Sequence, residues 1–290
     1  MLTIDKYTQM VAPLDVRDLD LPNAFRSHRL HPDVLRCLRY MHDVELHTIC
    51  YLRDLLVTSA HRDPDITTFL TFWSFEEYWH GDAIATVLRA HGELAGAERV
   101  RPMRRARRAA EASKPFLHGL ASLALGPSMT AVHMTWGAIN EWTTQAGYAR
   151  LAQRCDHPVL AELLRRIMKQ EGRHIDFYVG QASQRLAENR RSRWITRHAL
   201  GRFWRPVGSD VMPEAEVRHL ITYLFSGDDG SAMAARIDRR IDLLPGVGGL
   251  GLISKAVESF AGECRDDWSE RLDVVSAHDH VAETPSLAAA

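Results

Sequence analysis

Four stretches of the chain carry apolar residues at three- and four-residue steps, and each has a glutamate set into the middle of its apolar stripe. The first runs Leu38, Met41, Glu45, Thr48, Leu52, Leu55, and the second Ile66, Leu70, Trp73, Glu77, His80, Ile84, Val87. The third runs Thr130, Met134, Ala138, Glu141, Thr144, Tyr148, Leu151, and the fourth Leu160, Leu164, Ile167, Glu171, His174, Tyr178. That period is one face of a long helix. Start signals with proline near a first turn occur at His31-Pro32-Asp33, Asp63-Pro64-Asp65, Gly126-Pro127-Ser128 and Asp156-His157-Pro158. The first helix is expected to end near Ser59 and the second at Gly92. Joins within each pair are short, and residues 93–126 make one long crossover with helical pieces. The pattern predicts an all-α chain: a four-helix bundle with ferritin-like connectivity. Strand-like alternation persists nowhere.

Around this core the sequence divides simply. Residues 1–30 mix charges with Pro13 and Pro22 and read as an extended N-terminal arm. Residues 31–262 hold the bundle and a C-terminal extension of shorter helices, broken at Pro206, Pro213, Gly227 and Gly246–Gly251. Residues 263–290, with Asp266, Asp267, Asp273 and Asp279, read as an acidic, mobile tail. Formal net charge is −1, which argues against a globally basic nucleic-acid binder. Cys37, Cys50, Cys155 and Cys264 form no C-x-x-C pair, so a disulfide scaffold or cysteine zinc site is not expected and a reducing cytoplasm fits. Neither a signal peptide nor a membrane span is expected.

The glutamates carry the chemistry. An inward carboxylate costs several kcal/mol unless neutralised or paired. Four of them with two histidines need a common counter-charge, which a pair of divalent metal ions supplies. Glu77-Tyr78-Trp79-His80 and Glu171-Gly172-Arg173-His174 are both Glu-x-x-His, and positions i and i+3 share a helix face. Glu, Glu-x-x-His, Glu, Glu-x-x-His is the known recipe of a carboxylate di-metal bundle. Glu45 and Glu77 are 32 residues apart and Glu141 and Glu171 are 30, so two similar helix pairs each deliver three ligands. Iron, manganese and zinc all suit such donors, and mixed carboxylate and imidazole ligands with open positions suit iron and O2. The competing reading is a purely structural bundle whose glutamates pair with Arg or Lys.

At these residues the sequence resembles the soluble acyl-acyl-carrier-protein desaturases. Glu76-Glu77-Tyr78-Trp79-His80-Gly81-Asp82 is similar to that family's E-E-x-R-H-G-D, and Gln170-Glu171-Gly172-Arg173-His174 to its D-E-x-R-H. Glu141 with Thr144, followed by Ala149-Arg150-Leu151-Ala152, is similar to its third helix. The resemblance spans residues 33–185. It implies a di-iron centre (Fe2+/Fe3+) ligated by Glu45, Glu77, His80, Glu141, Glu171 and His174. It also implies a homodimer, O2 as oxidant, a ferredoxin-type electron donor, and insertion of a double bond into an acyl chain tethered to acyl carrier protein, a step of fatty-acid and lipid biosynthesis. Thr144 is implied as a hydrogen-bond donor to O2 in the site; its alternative is a bond to its own i−4 carbonyl. The chain departs from the family pattern at Trp79, Gln170 and Ile175.

Arg99–Lys114 holds seven basic residues against Glu111, and Arg185–Arg205 seven against Glu188. Such patches fit an acidic carrier, a solvated face, or pairing with the acidic tail. Trp73, Trp136, Phe69, Phe72 and Tyr148 read as bundle core, with a wall for an acyl chain as the alternative. Tyr148 and Tyr178 are read as packing, and histidines other than His80 and His174 as structural. Other functions compatible with the motifs are a di-iron hydroxylase or N-oxygenase, a ferritin-like iron-storage or peroxidase protein, and a metal-free interaction module.

Overall fold

A computed structural model describes residues 2–260. The expectations for residues 263–290, and Cys264, lie outside the described residues. Among those described, every regular element is helical. Helices α1 (Ile4–Thr8) and α2 (Leu21–Ala24) lie in the N-terminal segment, followed by α3 (Pro32–Glu45), α4 (Thr48–Leu56) and α5 (Pro64–Ala90). The crossover forms α6 (Ala97–Ala106) and α7 (Arg108–Leu125), and the second long pair is α8 (Pro127–Arg154) and α9 (Pro158–Glu188). Helices α10 (Arg190–Phe203), α11 (Glu214–Phe225) and α12 (Gly227–Asp242) follow, and residues 252–260 are again helical.

Helices α3, α5, α8 and α9 each begin with a proline in the first turn. Asp63 caps α5 by accepting from the amides of Asp65 and Ile66 at 3.1 and 3.3 Å, satisfying donors that a helix start leaves orphaned. The four helices stand side by side in a closed ring: α3 against α5, α5 against α9, α9 against α8 along their length, and α8 back to α3. The apolar stripes meet at its centre, where Leu38, Ile66, Leu70, Met134, Ala138, Leu164 and Ile167 have no measurable exposure. Within the crossover, Pro115 sits inside α7, where the missing N–H is tolerated on a helix with one exposed side.

Two local expectations are corrected. The first long helix does not run unbroken to Ser59. It ends at Glu45 and restarts at Thr48. Leu46 and His47 tighten into a turn in which the Cys50 amide donates to the His47 carbonyl at 2.8 Å, an i→i+3 bond. The apolar period continues across the break, so the sequence did not mark it. The N-terminal residues are not an extended arm. They fold into short helical turns and bury Tyr7 and Phe25 completely against the bundle.

Candidate metal centre

The six residues Glu45, Glu77, His80, Glu141, Glu171 and His174 converge from α3, α5, α8 and α9, all six essentially excluded from solvent. Their ligand atoms fall into two overlapping groups. Glu45, Glu77, His80 and Glu171 form one, and Glu77, Glu141, Glu171 and His174 the other, with the atoms of each within 4.8 Å of one another. Glu77 and Glu171 belong to both. These are the two Glu-x-x-His glutamates, and they sit where two ions would share bridging carboxylates.

Both imidazoles aim Nδ1 inward. His80 Nδ1 lies 3.3 Å from both Glu77 Oε2 and Glu171 Oε1, and His174 Nδ1 lies 3.1 Å from Glu77 Oε1 and 3.0 Å from Glu171 Oε2. Each ring turns Nε2 outward to a partner on the opposite helix. His80 Nε2 donates to Gln170 Oε1 at 2.9 Å, and His174 Nε2 donates to Glu76 Oε2 at 2.9 Å. Gln170 and Glu76 are the residues immediately before the two shared glutamates. The pattern is reciprocal, and it holds each ring in the tautomer that leaves Nδ1 free to ligate. Gln170, a departure from the family pattern, thus gives His80 a neutral partner where His174 has a charged one.

A further layer fixes these groups. Glu76 accepts from the Tyr7 hydroxyl at 2.9 Å and from Arg173 at 2.5 Å. The Ala12 carbonyl accepts from Gln170 Nε2 at 3.0 Å. Trp73 Nε1 donates to Glu141 Oε1 at 2.9 Å, and the Tyr148 hydroxyl donates to Glu45. Tyr148, read as packing, therefore also anchors one of the six converging residues. Tyr7 and Ala12 were missed because nothing periodic in residues 1–30 marks them.

The electrostatics are those of carboxyls too buried and crowded to ionise together. Burial and the neighbouring Glu77 push the Glu45 carboxyl far above the usual range, and burial with Glu171 and Glu77 does the same to Glu141. Burial also opposes ionisation of Glu77, but hydrogen bonds from Glu45, His174 and His80 outweigh it and hold Glu77 well below the usual range. Burial alone would lower His80, yet its bonds to Glu171 and Glu77 raise it to about 9. Protons on Glu45, Glu141 and His80 thus offset the negative charge gathered there. The donor set fits divalent ions: among the described residues the ion-pairing partners of Glu77, Glu141 and Glu171 are the two histidines, and no lysine or arginine pairs with them.

Since His80 must lose its proton to ligate, metal binding competes with protonation. Below the ordinary histidine value near 6.5 the ring is charged in the metal-free protein, and it stays charged up to about 9. Apparent Fe(II) affinity under anaerobic conditions is therefore expected to rise steadily from pH 6.5 to 9, with protons released on binding. An affinity flat over that interval contradicts the assignment of His80 as a ligand.

A cavity of about 740 Å³ opens on the centre. Glu45, Glu77, Glu141 and Glu171 form its floor, and Trp73, Trp136, Met129 and Val132 supply apolar wall. It reaches the surface beside Lys114, Phe203 and Asp210. In its wall, Gly137 lets the Tyr178 ring pack close against α8: a Cβ there would lie 2.3 Å from that ring. At the rim, Gly208 takes φ +84° and passes so close to Tyr40 that a Cβ would lie 2.5 Å from its hydroxyl. Thr144 lines the cavity and, among the described residues, makes no bond to its i−4 carbonyl, unlike Thr143, which donates to Ile139 at 2.8 Å. Phe69 and Tyr148 belong to the core and do not line the cavity.

His47, Cys50 and Glu111 form a third group of close donors. Lys114 and Arg53 already pair with Glu111 at 2.8 and 3.0 Å, so this is an ion-paired cluster at the cavity rim. Much of the basic charge is likewise used within the molecule. Arg99 pairs with Asp43 at 2.8 Å, Arg185 with Asp63 at 2.5 Å, and Arg193 and Arg197 donate to backbone carbonyls. Arg101, Arg105 and Arg108 are exposed and make no ion pair among the described residues. No described helix is long and apolar enough to cross a membrane. No protein-family model matches the chain, and no curated protein matches its sequence.

Proposed function

We propose that the chain is an O2-dependent di-iron oxidase on a ferritin-like bundle, acting on a substrate held in the cavity. The observation that carries this reading is the pair of overlapping four-donor groups sharing Glu77 and Glu171. Carboxylate and imidazole donors suit iron, and the recipe is that of di-iron carboxylate bundles. The chemistry supplied by two bound iron ions is reduction of O2 coupled to removal of hydrogen from an unactivated C–H bond.

The protein's part follows from its side chains. Glu76 and Gln170 hold the two imidazoles so that Nδ1 faces the ions. Trp73 and Tyr148 fix the orientation of Glu141 and Glu45. The apolar wall around Trp73 and Trp136 excludes water and sets the reacting carbon against the centre, where proximity governs which bond is broken. Thr144, free of a backbone bond, presents its hydroxyl to the oxidant.

Resemblance to the acyl-carrier-protein desaturases makes double-bond formation the leading outcome: the substrate loses two hydrogens while O2, two further electrons and two protons become two waters. The electrons come from a ferredoxin-type donor. Exposed Arg101, Arg105 and Arg108 offer an acidic carrier a docking face, and the resemblance extends the proposal to a cytoplasmic homodimer. Hydroxylation is the second reading, because the same geometry serves oxygen insertion. A deep cavity on the centre favours either over iron storage.

The test is turnover of the iron-loaded protein with O2, reductant and an acyl-carrier substrate. Wild type is expected to yield product lighter by two hydrogens; a gain of one oxygen favours the second reading. Thr144→Val is expected to retain its iron but give several-fold less product per O2, with more hydrogen peroxide. No O2 uptake by iron-loaded wild type overturns the oxidase, and unchanged coupling in the variant removes the role of Thr144.

A further inference from the structure

The cavity wall carries hydrogen-bonding atoms that nothing else in the described protein serves. The hydroxyls of Tyr51 and Tyr178, Oδ1 of Asn140 and Nε2 of His133 are enclosed and lack a hydrogen-bond partner among the described residues. All four residues line the cavity. Enclosed polar atoms in folded proteins are nearly always paired, so four orphans lining one cavity, from α4, α8 and α9, point to something that enters it.

Their arrangement is ordered. His133, Gly137, Asn140 and Thr144 recur at three- and four-residue steps on α8, and the lining stretch from Met129 to Thr144 extends about 22 Å at the helical rise. Asn140 adjoins Glu141. Tyr51 and Tyr178 both stand edge-on to Trp73, with ring centroids 6.0 and 6.2 Å away, and Trp73 holds Glu141. Three of the orphans therefore surround the inner end, beside the carboxylates, and His133 lies about two turns farther along α8. All are uncharged: burial raises both tyrosines and pushes His133 down to about 3. Tyrosine hydroxyls donate and accept, whereas the Asn140 oxygen only accepts.

We infer that the substrate is an elongated, mainly apolar molecule bearing an uncharged hydroxyl or carboxamide near its reacting end, and that Tyr51, Tyr178 and Asn140 select it over a plain alkyl chain. The inference rests on the oxidising di-metal reading, which makes the cavity a substrate site. A saturated alkyl chain fits the apolar wall but leaves every orphan unpaired. A group that both donates and accepts satisfies Asn140 and a tyrosine at once, and a site with buried polar atoms discriminates against the analogue lacking that group.

The test is binding of three matched probes, decan-1-ol, decanamide and 1-fluorodecane, followed by tryptophan fluorescence, since Trp73 and Trp136 line the cavity. Wild type is expected to bind the alcohol and the amide roughly 10-fold more tightly than the fluoroalkane, as two added hydrogen bonds allow. In Tyr51→Phe/Tyr178→Phe, and separately in Asn140→Leu, the preference is expected to shrink to about 2-fold while fluoroalkane binding holds, which shows the cavity intact. Equal affinities in wild type, or a preference that survives in both variants, overturn the inference. Iron uptake is measured on the same samples. Iron uptake without the preference overturns this inference alone; the preference without iron uptake upholds polar selection and overturns the di-metal reading.

Discussion

Glu77→Ala and Glu171→Ala are each expected to abolish binding of both metal ions, whereas Glu45→Ala and Glu141→Ala each leave one. Glu77 and Glu171 contribute to both groups of four donors, and Glu45 and Glu141 to one each. Losing a shared carboxylate removes a ligand from both ions and the charge that lets them lie close together. Losing Glu45 or Glu141 weakens one site and leaves the other its four donors. The readout is bound Fe(II) per chain after anaerobic loading and desalting. Removing Glu45 or Glu141, whose carboxyls burial and neighbouring carboxylates hold far above the usual range, relieves repulsion in the folded state. Equal iron content in all four variants contradicts the bridging arrangement.

Glu76→Ala is expected to cost about 3 kcal/mol of stability, lowering Tm by roughly 5–10 °C, and to weaken metal binding about 10- to 100-fold. Glu76 is fully buried and accepts from Tyr7, Arg173 and His174 together. Truncation strands the largely buried guanidinium of Arg173, the Tyr7 hydroxyl and the outer nitrogen of His174. It also frees the N-terminal segment that Tyr7 ties to α5. Gln170→Ala removes only a neutral partner, so a smaller loss is expected there. Calorimetry with Fe(II) titration checks both, and a Glu76→Ala protein with wild-type Tm and affinity contradicts the proposed positioning.

The bundle helices were legible because each buries one face, and burial of one face writes a period of three and four residues. Convergence of Glu45, Glu77, His80, Glu141, Glu171 and His174 was legible for the same reason: each sits on its helix's buried stripe. What was hidden depends on contacts between distant residues. Trp73 and Tyr148 stood on the stripes, yet their bonds to Glu141 and Glu45 cross helices and leave no local signature. Gln170 was visible as a departure from the desaturase pattern, and its partner His80, 90 residues away, was not. Of the other departures, Ile175 is buried with the core, and Trp79 packs half-buried with its ring edge to Phe75 and Tyr78. Tyr7 and Phe25 pack from an irregular segment without period, so composition alone read that segment as an arm. The turn at Leu46–His47 preserves the helical phase and hides inside it.

The most direct test of the account is the number of Fe(II) ions that wild type binds, read by anaerobic titration. A break at two ions per chain, with uptake of O2 on exposure, is the result expected of a carboxylate-bridged pair. Binding of no iron, or a single ion indifferent to both Glu77→Ala and Glu171→Ala, contradicts it and leaves the buried carboxylates without the counter-charge that explains them.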